Sequence, residues 1–492
     1  MGIPMAMSTT LRRSRLSSHL LRRRLVSTST FTFTMLIFLS CILFLSFIVY
    51  MAVENAASGI RTLAGHNLEA TPWHPFNIRE RHLDASASRI LRCSYLSCLG
   101  LSTAFTNSSS SSSSSASSPS LACPDFFRSI HHDLEPWRQA RISRAALDEA
   151  RKHAAMRIVI LGGTRIYVDL YYSCVQSRAM FTVWGLLQLL RRYPGKVADV
   201  DILFDCMDRP AIKRTVYNPA ATGSPPPPLF RYCTTKEHFD IPFPDWSFWG
   251  WPEINIRPWD EQFKEIKHCS QSIPWKMRDA TAYWKGNTDV QSPIRTELLN
   301  CNDTEQWKSQ IMHQDWIQES KYGFQNSKLS QQCKHRYKIY AEGFAWSVSL
   351  KYILSCGSVP LIIDPQYEDF FSRGLIAAEN YMPISSKSLC PSIKSVVDWG
   401  NKHPDKAEAI GKNGQKLMQE LNMDRVYDYM FHFLAEYSKL QDFKPSPPAS
   451  AREVCAHLVL CFADAKQREL LEKSSATLSS SPPCAFPSLK DE

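Results

Sequence analysis

The chain has 492 residues and a formal net charge of +10, with 44% hydrophobic and 21% charged residues. This length predicts about three domains of roughly 150 residues, or two with a long tail, and the composition excludes a collagen, a wholly disordered chain and a small disulfide scaffold. Six arginines within residues 1–30, a segment without acidic residues, carry six of the positive charges and leave +4 on the other 462 residues. The body is therefore only mildly basic and shows no footprint of a nucleic-acid partner.

An uncharged apolar run of 23 residues, Phe31 to Val53, follows these arginines. The run is long enough to span a hydrocarbon core of about 30 Å, and the preceding arginines favour a cytoplasmic N-terminus. We predict a basic cytoplasmic tail (1–30) and a transmembrane signal anchor (31–53), which make a single-pass type II protein with a lumenal body. A cleaved signal peptide and an organelle transit peptide are the alternatives, and the length of the run argues against both.

The cysteine content suits an oxidising lumen, because 14 of the 15 cysteines follow the predicted span. No CxxC pair occurs, which disfavours a zinc ribbon or a thioredoxin motif. Asn-x-Ser/Thr triplets at Asn107 and Asn302 are candidate glycosylation sites. The spacing does not decide whether Cys174, Cys206 and Cys233 are paired.

Composition divides the rest of the chain into a stem, a body and a tail. Residues 54–120 end in a run of eight serines, Ser108 to Ser115, which predicts a flexible, disordered stem of the kind found in Golgi enzymes. From residue 123 to about 445, short apolar strands alternate with amphipathic helices. The alternation predicts an α/β architecture with parallel sheets. We expect two domains that face a cleft, 121–255 and 256–440, followed by a tail with a short helix, 441–492.

The pattern of apolar residues predicts four helices and four strands in the body. The patterns indicate a helix over 140–154, a strand over 156–161, a helix over 182–195, strands over 199–205 and 229–233, a helix over 346–357, a strand over 358–364 and a helix over 405–421.

Two segments carry candidate chemistry. The strand over 199–205 ends in a loop with Asp205 and Asp208, and a carboxylate at a strand end can serve as a general base; a turn or helix cap is the alternative. The segment from Gly343 to Ser349 precedes a helix whose free N–H groups could hold an anion, and an ordinary capped core helix is the alternative. Asp199 and Asp201 form only a weak match to the DxD motif of metal-dependent glycosyltransferases.

Four tryptophans within fourteen residues suggest a rigid loop that lines a cleft, where indoles can stack on sugars. Single tryptophans more often lie in the core. The four are Trp246, Trp249, Trp251 and Trp259.

Six ordered blocks between residues 123 and 363 resemble one known family. The blocks are CPDFFRSIHHDLEPW, FTVWGLLQLLRRYPG, DILFDCMDRPAI, FPDWSFWGWPEINIRPW, IPWKMRDATAYWKGN and YAEGFAWSVSLKYILSCGSVPLII. They resemble the protein O-glucosyltransferases of the rumi type, in glycosyltransferase family 90 with its capsule-associated-protein domain, and most closely the plant branch. The resemblance extends over residues 123–440.

The resemblance implies a GT-B fold of two Rossmann-type domains and an inverting, metal-independent transfer from a UDP-sugar to a hydroxyl group. The expected partners are UDP-glucose or UDP-xylose as the donor and a protein or glycan as the acceptor, with no metal and no cofactor beyond the donor. We expect the body to lie in the Golgi or ER lumen. A transferase for cell-wall polysaccharide and a non-catalytic lumenal carbohydrate-binding protein are the alternatives.

The resemblance implies roles for individual residues of this chain. The catalytic base falls on Asp208, and a cysteine pair of the family falls on Cys333 and Cys356. The acceptor-binding positions are Ser177, Arg178, Trp246, Phe248 and Trp249. The donor-binding positions are Trp284, Lys285, Gly286, Asn287, Arg295, Gly343, Phe344, Ala345, Trp346, Ser347, Ser349 and Lys351.

Two departures from the family bear on the donor. Animal members carry an arginine where this chain has Ser349, which weakens diphosphate binding unless Lys351 supplies the charge. The turn after Gly286 is two residues longer than in those members. The resemblance therefore leaves the donor sugar open.

Overall fold

Two β-sheets organise the part of the chain that the structure describes. This computed structural model describes residues 93, 96, 98, 121–219 and 223–488, and all of them belong to one compact unit that spans residues 70–492. The predicted tail (1–30), span (31–53) and Asn107 lie outside the described residues. Within the described ranges, no helix combines the length and the apolar character that crossing a membrane needs.

The first sheet has six strands. Their bounds are β1 Met156–Leu161, β2 Arg165–Leu170, β3 Val200–Phe204, β4 Leu229–Arg231, β5 Ile241–Pro242 and, far along the chain, β11 Arg452–Val454. The order across the sheet is β11-β2-β1-β3-β4-β5. Strand β3 is fully buried, as expected for an interior strand.

This sheet is mixed, which corrects the prediction of parallel strands alone. Strand β1 runs antiparallel to both of its neighbours, β2 and β3, whereas β3, β4 and β5 are parallel to one another. The cause lies in the turn between β1 and β2, where Gly162 and Gly163 both have φ of 61°. Glycine adopts this conformation without steric cost, so the chain reverses directly into a hairpin.

The second sheet confirms the parallel prediction for its part of the chain. Its strands are β6 Asp279–Gly286, β7 Ser309–His313, β8 His335–Tyr340, β9 Val359–Ile363 and β10 Met382–Ile384. They are ordered β10-β9-β8-β6-β7, and every neighbouring pair is parallel. The carboxyl ends of β6 and β8 therefore lie at one edge of the sheet.

The helices of the described ranges cover both sheets. Their bounds are α1 Ser129–Asp133, α2 Arg144–Arg151, α3 Arg178–Arg192, α4 Trp259–Gln271, α5 Pro293–Leu298, α6 Trp316–Lys321, α7 Ser349–Ser355, α8 Leu389–Lys402, α9 Pro404–Glu420, α10 Met423–Leu440, α11 Ala456–Phe462 and α12 Ala465–Lys473. Helix α7 is followed by Gly357 at φ 61°, the predicted stop.

The end of the chain returns to the first sheet. Strand β11 pairs antiparallel with β2, and helix α10 packs on β3 and α3. The segment predicted as a tail with a short helix thus supplies one strand and two helices. The boundaries at 255 and 440 stay predictions.

Six disulfides connect distant parts of the described chain, and the pair implied by the family resemblance is among them. They are Cys93–Cys461, Cys98–Cys455, Cys123–Cys484, Cys174–Cys206, Cys301–Cys390 and Cys333–Cys356. Cys93 and Cys98 belong to the segment predicted as a free stem. Both are buried and bonded to the C-terminal region, so the prediction of a flexible stem is wrong at these two residues.

This pairing predicts a specific pattern of thiol labelling. Cys233 is buried and unpaired, and Cys269 is unpaired and partly exposed. Alkylation without reduction, followed by peptide mass spectrometry, should label Cys269 in the native protein and Cys233 only after unfolding. Labelling of Cys174 or Cys206 in the unfolded, unreduced protein would contradict the pairing.

Candidate functional site

A cavity of about 520 Å³ lies between the carboxyl end of β3 and the carboxyl ends of β6 and β8. Ligands of open α/β sheets bind at this edge. The predicted site residues that line it are Arg178, Asp208, Trp246, Trp284, Lys285, Gly286, Asn287, Arg295, Gly343, Phe344, Ala345, Trp346, Ser347 and Ser349. The cavity therefore brings together residues that are up to 171 positions apart in the sequence.

Asp208 faces this cavity from the loop after β3. Arg178 donates from Nη1 to Oδ1 of Asp208 at 2.6 Å and to the carbonyl oxygen of Cys206 at 3.2 Å. The guanidinium lies 4.2 Å from the ring centroid of Trp246. The side chain of Asp208 is 32% exposed, so the carboxylate is both oriented and accessible from the cavity.

The backbone around Asp208 is fixed from several sides. Cys206 is bonded to Cys174, and the thiol of Cys233 donates to the carbonyl oxygen of Asp208 at 3.2 Å. The side chain of Arg231 donates to the carbonyl oxygens of residues 207 and 209. A loop with so many restraints can hold one carboxylate in a constant position.

Asp205, the other carboxylate of the predicted loop, has a structural role. It is fully buried, forms an ion pair with Arg231 and accepts a hydrogen bond from the hydroxyl of Tyr172. Burial raises the pKa of its carboxyl group. Of the two aspartates that the sequence left open, only Asp208 lines the cavity.

The acceptor-side prediction is corrected at two aromatic residues. Trp249 is buried, donates from its indole to the hydroxyl of Tyr427 at 2.9 Å and packs against Gly185 of α3. Phe248 is buried against Trp259. Neither lines the cavity, because the short 3-10 helix over 246–248 directs them into the core.

Ser177 lies just outside the cavity and supports its wall. Its backbone N–H and its hydroxyl donate to the two carboxylate oxygens of Glu253 at 2.9 and 3.0 Å. Next to it, Gln176 lines the cavity at φ 56° and accepts from the indole of Trp251 at 2.9 Å. The aromatic wall therefore consists of Trp246 and Trp251.

The turn after β6 forms the opposite wall. A Cβ at Gly286 would lie 2.5 Å from the ring of Trp284, so only glycine lets the chain fold over this indole. Lys285 donates to Glu319 and to the carbonyl oxygen of Asn326, each at 2.9 Å. Its charge is already compensated by the carboxylate.

Among the residues that the structure describes, no carboxylate is in hydrogen-bond contact with the positive charge of Arg295. Its guanidinium donates to the carbonyl oxygens of Asn287 at 2.9 Å and of Ala341 and Glu342 at 3.1 Å. Nη2 also lies 3.4 Å from the hydroxyl of Ser347. Burial lowers the pKa of Arg295 to about 10, so the group is still cationic at neutral pH.

In the loop before α7, the groups that could bind an anion are mainly side-chain hydroxyls, because two of the backbone amides already donate to other groups. The hydroxyls of Ser347 and Ser349 lie 2.9 Å apart. The N–H of Ser347 donates to the hydroxyl of Tyr340 at 3.0 Å, and the N–H of Gly343 donates to the carbonyl oxygen of Ala345 at 2.9 Å. Two backbone amides that the sequence made available to an anion thus already donate to other groups of the protein.

The prediction that Lys351 faces the donor is wrong. Its ammonium is buried, 2.8 Å from the hydroxyl of Ser247 and 3.2 Å from a carboxylate oxygen of Asp245. It also lies 4.6 Å from the ring centroid of Phe248. This lysine stabilises the core under the aromatic segment and does not replace the family arginine at Ser349.

Sequence reasoning missed Lys338, a buried lysine of β8 that lines the cavity. Its ammonium donates to the side-chain oxygen of Gln332 at 2.8 Å and lies 4.7 Å from the ring centroid of Tyr283. Burial lowers the pKa of Lys338 to about 7. A lysine within the otherwise apolar end of a central strand was the available signal. Other lining residues that were missed are Asn255, Trp316, Phe324 and Tyr352.

The weak DxD match does not belong to the site. Asp201 is buried in an ion pair with Arg157, and Asp199 accepts from the N–H of Gly162 at 2.5 Å. A further group of potential metal ligands in the described ranges joins Cys123, His432 and Cys484. Its two cysteines are bonded to each other, so no thiolate is available there.

The buried His335 of β8 predicts one pH dependence of stability. His335 stacks on Tyr283 at 4.5 Å, and burial lowers its pKa from 6.5 to about 4. Between these pH values the unfolded chain takes up a proton that the folded chain excludes, so this residue contributes stability above pH 6.5 that is lost as the pH falls towards 4.

The measurement compares urea unfolding at pH 7 and pH 4.5. The free energy of unfolding should fall less in the variant His335→Gln than in the wild type. The matched variant His268→Gln, at an exposed position, should behave as the wild type. An equal fall in all three proteins would refute this assignment.

Comparison with known proteins places the chain in a family. The model for "Glycosyl transferase family 90" matches residues 118–492. Protein O-glucosyltransferase 1 from Homo sapiens is 24% identical over 337 residues, which cover 65% of this chain and 81% of the relative. O-glucosyltransferase rumi from Drosophila melanogaster is also 24% identical, with 65% and 77% covered.

Among solved structures, Anabaena HepE in complex with UDP and glucose is 8% identical with a TM-score of 0.25, and the match covers 35% of this chain and 52% of that chain. This similarity is too low to indicate a shared fold or a shared ligand. The family model, by contrast, extends over both sheets and over every residue that lines the cavity. The chain belongs to glycosyl transferase family 90 and is a glycosyltransferase.

Proposed function

We propose that this glycosyltransferase moves glucose or xylose from a UDP-sugar to a hydroxyl group of a protein or glycan, with inversion and without a metal ion. One observation carries the proposal. An oriented carboxylate, Asp208, and an arginine, Arg295, open from opposite walls into the same cavity, and no carboxylate of the described part of the chain contacts this arginine. The relatives named as O-glucosyltransferases support glucose as the transferred sugar.

Asp208 is the proposed general base. The carboxylate accepts the proton of the acceptor hydroxyl as its oxygen attacks the anomeric carbon from the face opposite the diphosphate. Arg178 holds one carboxylate oxygen at 2.6 Å, and the other oxygen is left for the acceptor. Attack from the opposite face inverts the anomeric configuration.

Arg295 and the hydroxyls of Ser347 and Ser349 are proposed to stabilise the departing diphosphate. Negative charge grows on the leaving oxygen as the glycosidic bond breaks, and fixed donors in a partly buried site stabilise that charge without reorganising. Arg295 is held by three carbonyl oxygens before any ligand arrives. This arrangement supplies the charge that a metal ion provides in other transferases.

The acceptor is proposed to lie along Trp246 and Trp251. These indoles border the cavity beside Asp208, and aromatic faces suit both sugar rings and apolar protein surface. A cell-wall polysaccharide is therefore the second candidate acceptor. The carbohydrate-binding alternative has less support, since a protein that only binds sugar needs no oriented carboxylate at the anomeric centre.

The finer architecture and the location are part of the same proposal. The two sheets, each with a carboxyl edge at the cavity, suit a GT-B pair of Rossmann-type domains. The anchor over 31–53 and the lumenal cysteines suit a type II membrane protein of the Golgi or ER. Asn302 is exposed and its triplet is a candidate glycosylation site.

The test is UDP release by the purified protein in EDTA, with UDP-glucose, UDP-xylose or UDP-galactose as donor. We expect slow hydrolysis of one donor and no loss of rate relative to Mg²⁺-containing buffer. Proton NMR should show that the sugar is released first as the anomer opposite to that of the donor.

Retention of configuration would contradict the proposed base. Loss of activity in EDTA that Mg²⁺ or Mn²⁺ restores would contradict the metal-independent chemistry. Hydrolysis of none of the three donors, together with no binding of UDP, would contradict the donor assignment.

A further inference from the structure

The charges around the cavity are balanced at several positions, but not at Arg295, described above, or at Lys338. Arg178 pairs with Asp208, Lys285 with Glu319, and Arg257 with Glu261. Among the described residues, no carboxylate lies within 4.0 Å of the ammonium of Lys338, which is 3% exposed and lines the cavity. Its partners, an amide oxygen and an aromatic ring, are both neutral.

The register of the sheet fixes where this ammonium lies. Tyr283 pairs with Lys338 in the alignment of β6 with β8, and Tyr340 follows Lys338 by two residues on the same face. The hydroxyl of Tyr340 accepts from the N–H of Ser347. Residues two positions apart in a strand are separated by about 7 Å. The backbone of Lys338 therefore lies about 7 Å from that of Tyr340, further from the carboxyl end of β8.

A buried ammonium without an anion is unfavourable. Removing the charge from water has a large free-energy cost in a protein interior, and this cost is recovered through an opposite charge. The low pKa of Lys338 has the same cause, because burial disfavours the charged form and no acid of the described residues offsets this effect. An anionic ligand in the cavity would supply the missing partner.

We propose that Lys338, together with Gln332, binds an anionic oxygen of the donor nucleotide sugar on the floor of the cavity. This inference rests on the proposed function. The oxygen belongs either to the diphosphate, for which Ser349 and Lys351 supply no cation, or to the carboxylate of a uronic-acid sugar. The shared chemistry is a charge-assisted hydrogen bond from the ammonium to an anionic oxygen.

The test is calorimetric binding of uridine, UDP, UDP-glucose and UDP-glucuronate to the full-length protein and to the variant Lys338→Met. Methionine keeps an unbranched side chain, one atom shorter than that of lysine, and removes the charge. The matched control is Lys334→Met, which removes the same charge from an exposed position just before β8. Near-UV circular dichroism establishes that each variant is folded, and Lys338→Gln is the second neutral variant if methionine is not tolerated.

Two results support the proposal and distinguish the sources of the oxygen. If the oxygen belongs to the diphosphate, Lys338→Met weakens UDP and UDP-glucose at least tenfold and leaves uridine unchanged. If it belongs to a uronate, the wild type binds UDP-glucuronate at least tenfold more tightly than UDP-glucose, and the variant loses this preference while its affinity for UDP is unchanged. Lys334→Met matches the wild type in both cases.

Other results overturn it. An unchanged affinity for UDP with no preference for UDP-glucuronate in the wild type removes any role for Lys338 in anion binding. Equal weakening of uridine and UDP shows that the substitution acts through packing. Failure of the wild type to bind UDP or either UDP-sugar contradicts the proposed function itself, and is distinguished from the other results because it needs no variant.

Discussion

The ion pair between Arg178 and Asp208 is the interaction on which the rest of the site depends. Arg178 begins helix α3, and its guanidinium is confined between the loop after β3 and the ring of Trp246. The carboxylate is therefore placed by a helix, a strand end and an aromatic ring together. The hairpin of β1 and β2 makes this possible, because it leaves β3 beside β1 with its carboxyl end at the cavity.

The two walls of the cavity have complementary charge. The wall from the first sheet presents the carboxylate of Asp208, and Arg178 pairs with this carboxylate and orients it. The wall from the second sheet presents Arg295 and Lys338, which no carboxylate of the described chain neutralises within hydrogen-bond distance. A ligand with an anionic end and an electrophilic carbon fits this polarity, since its charge would face the second sheet and its reacting carbon the first.

The sequence predicted those features that depend on local pattern. The strand over 156–161 has the bounds that the sequence predicts, because five of its six residues are apolar and a glycine pair follows it. Asp208 was singled out by its position after a strand and by the family resemblance. Strand β2 was missed, because its polar and apolar residues form no run between the hairpin turn and the next helix.

Other features depend on direction and on long-range contact. Lys351 follows Ser349 by two residues in α7, which is about 200° around a helix; the two side chains therefore face opposite sides, and the lysine enters the core. Trp249 is similarly turned inward against Gly185 of α3. The bond between Cys93 and Cys461 spans 368 residues, and no local pattern could indicate its partner.

The most direct test of the central assignment separates chemistry from binding at Asp208. The variant Asp208→Asn keeps the size of the side chain and removes its ability to accept the acceptor's proton. We predict that it binds UDP within threefold of the wild type and turns over the donor at least a hundredfold more slowly. The matched variant Asp199→Asn, remote from the cavity, should keep both properties. Turnover by Asp208→Asn at the wild-type rate, with binding intact, would contradict the account.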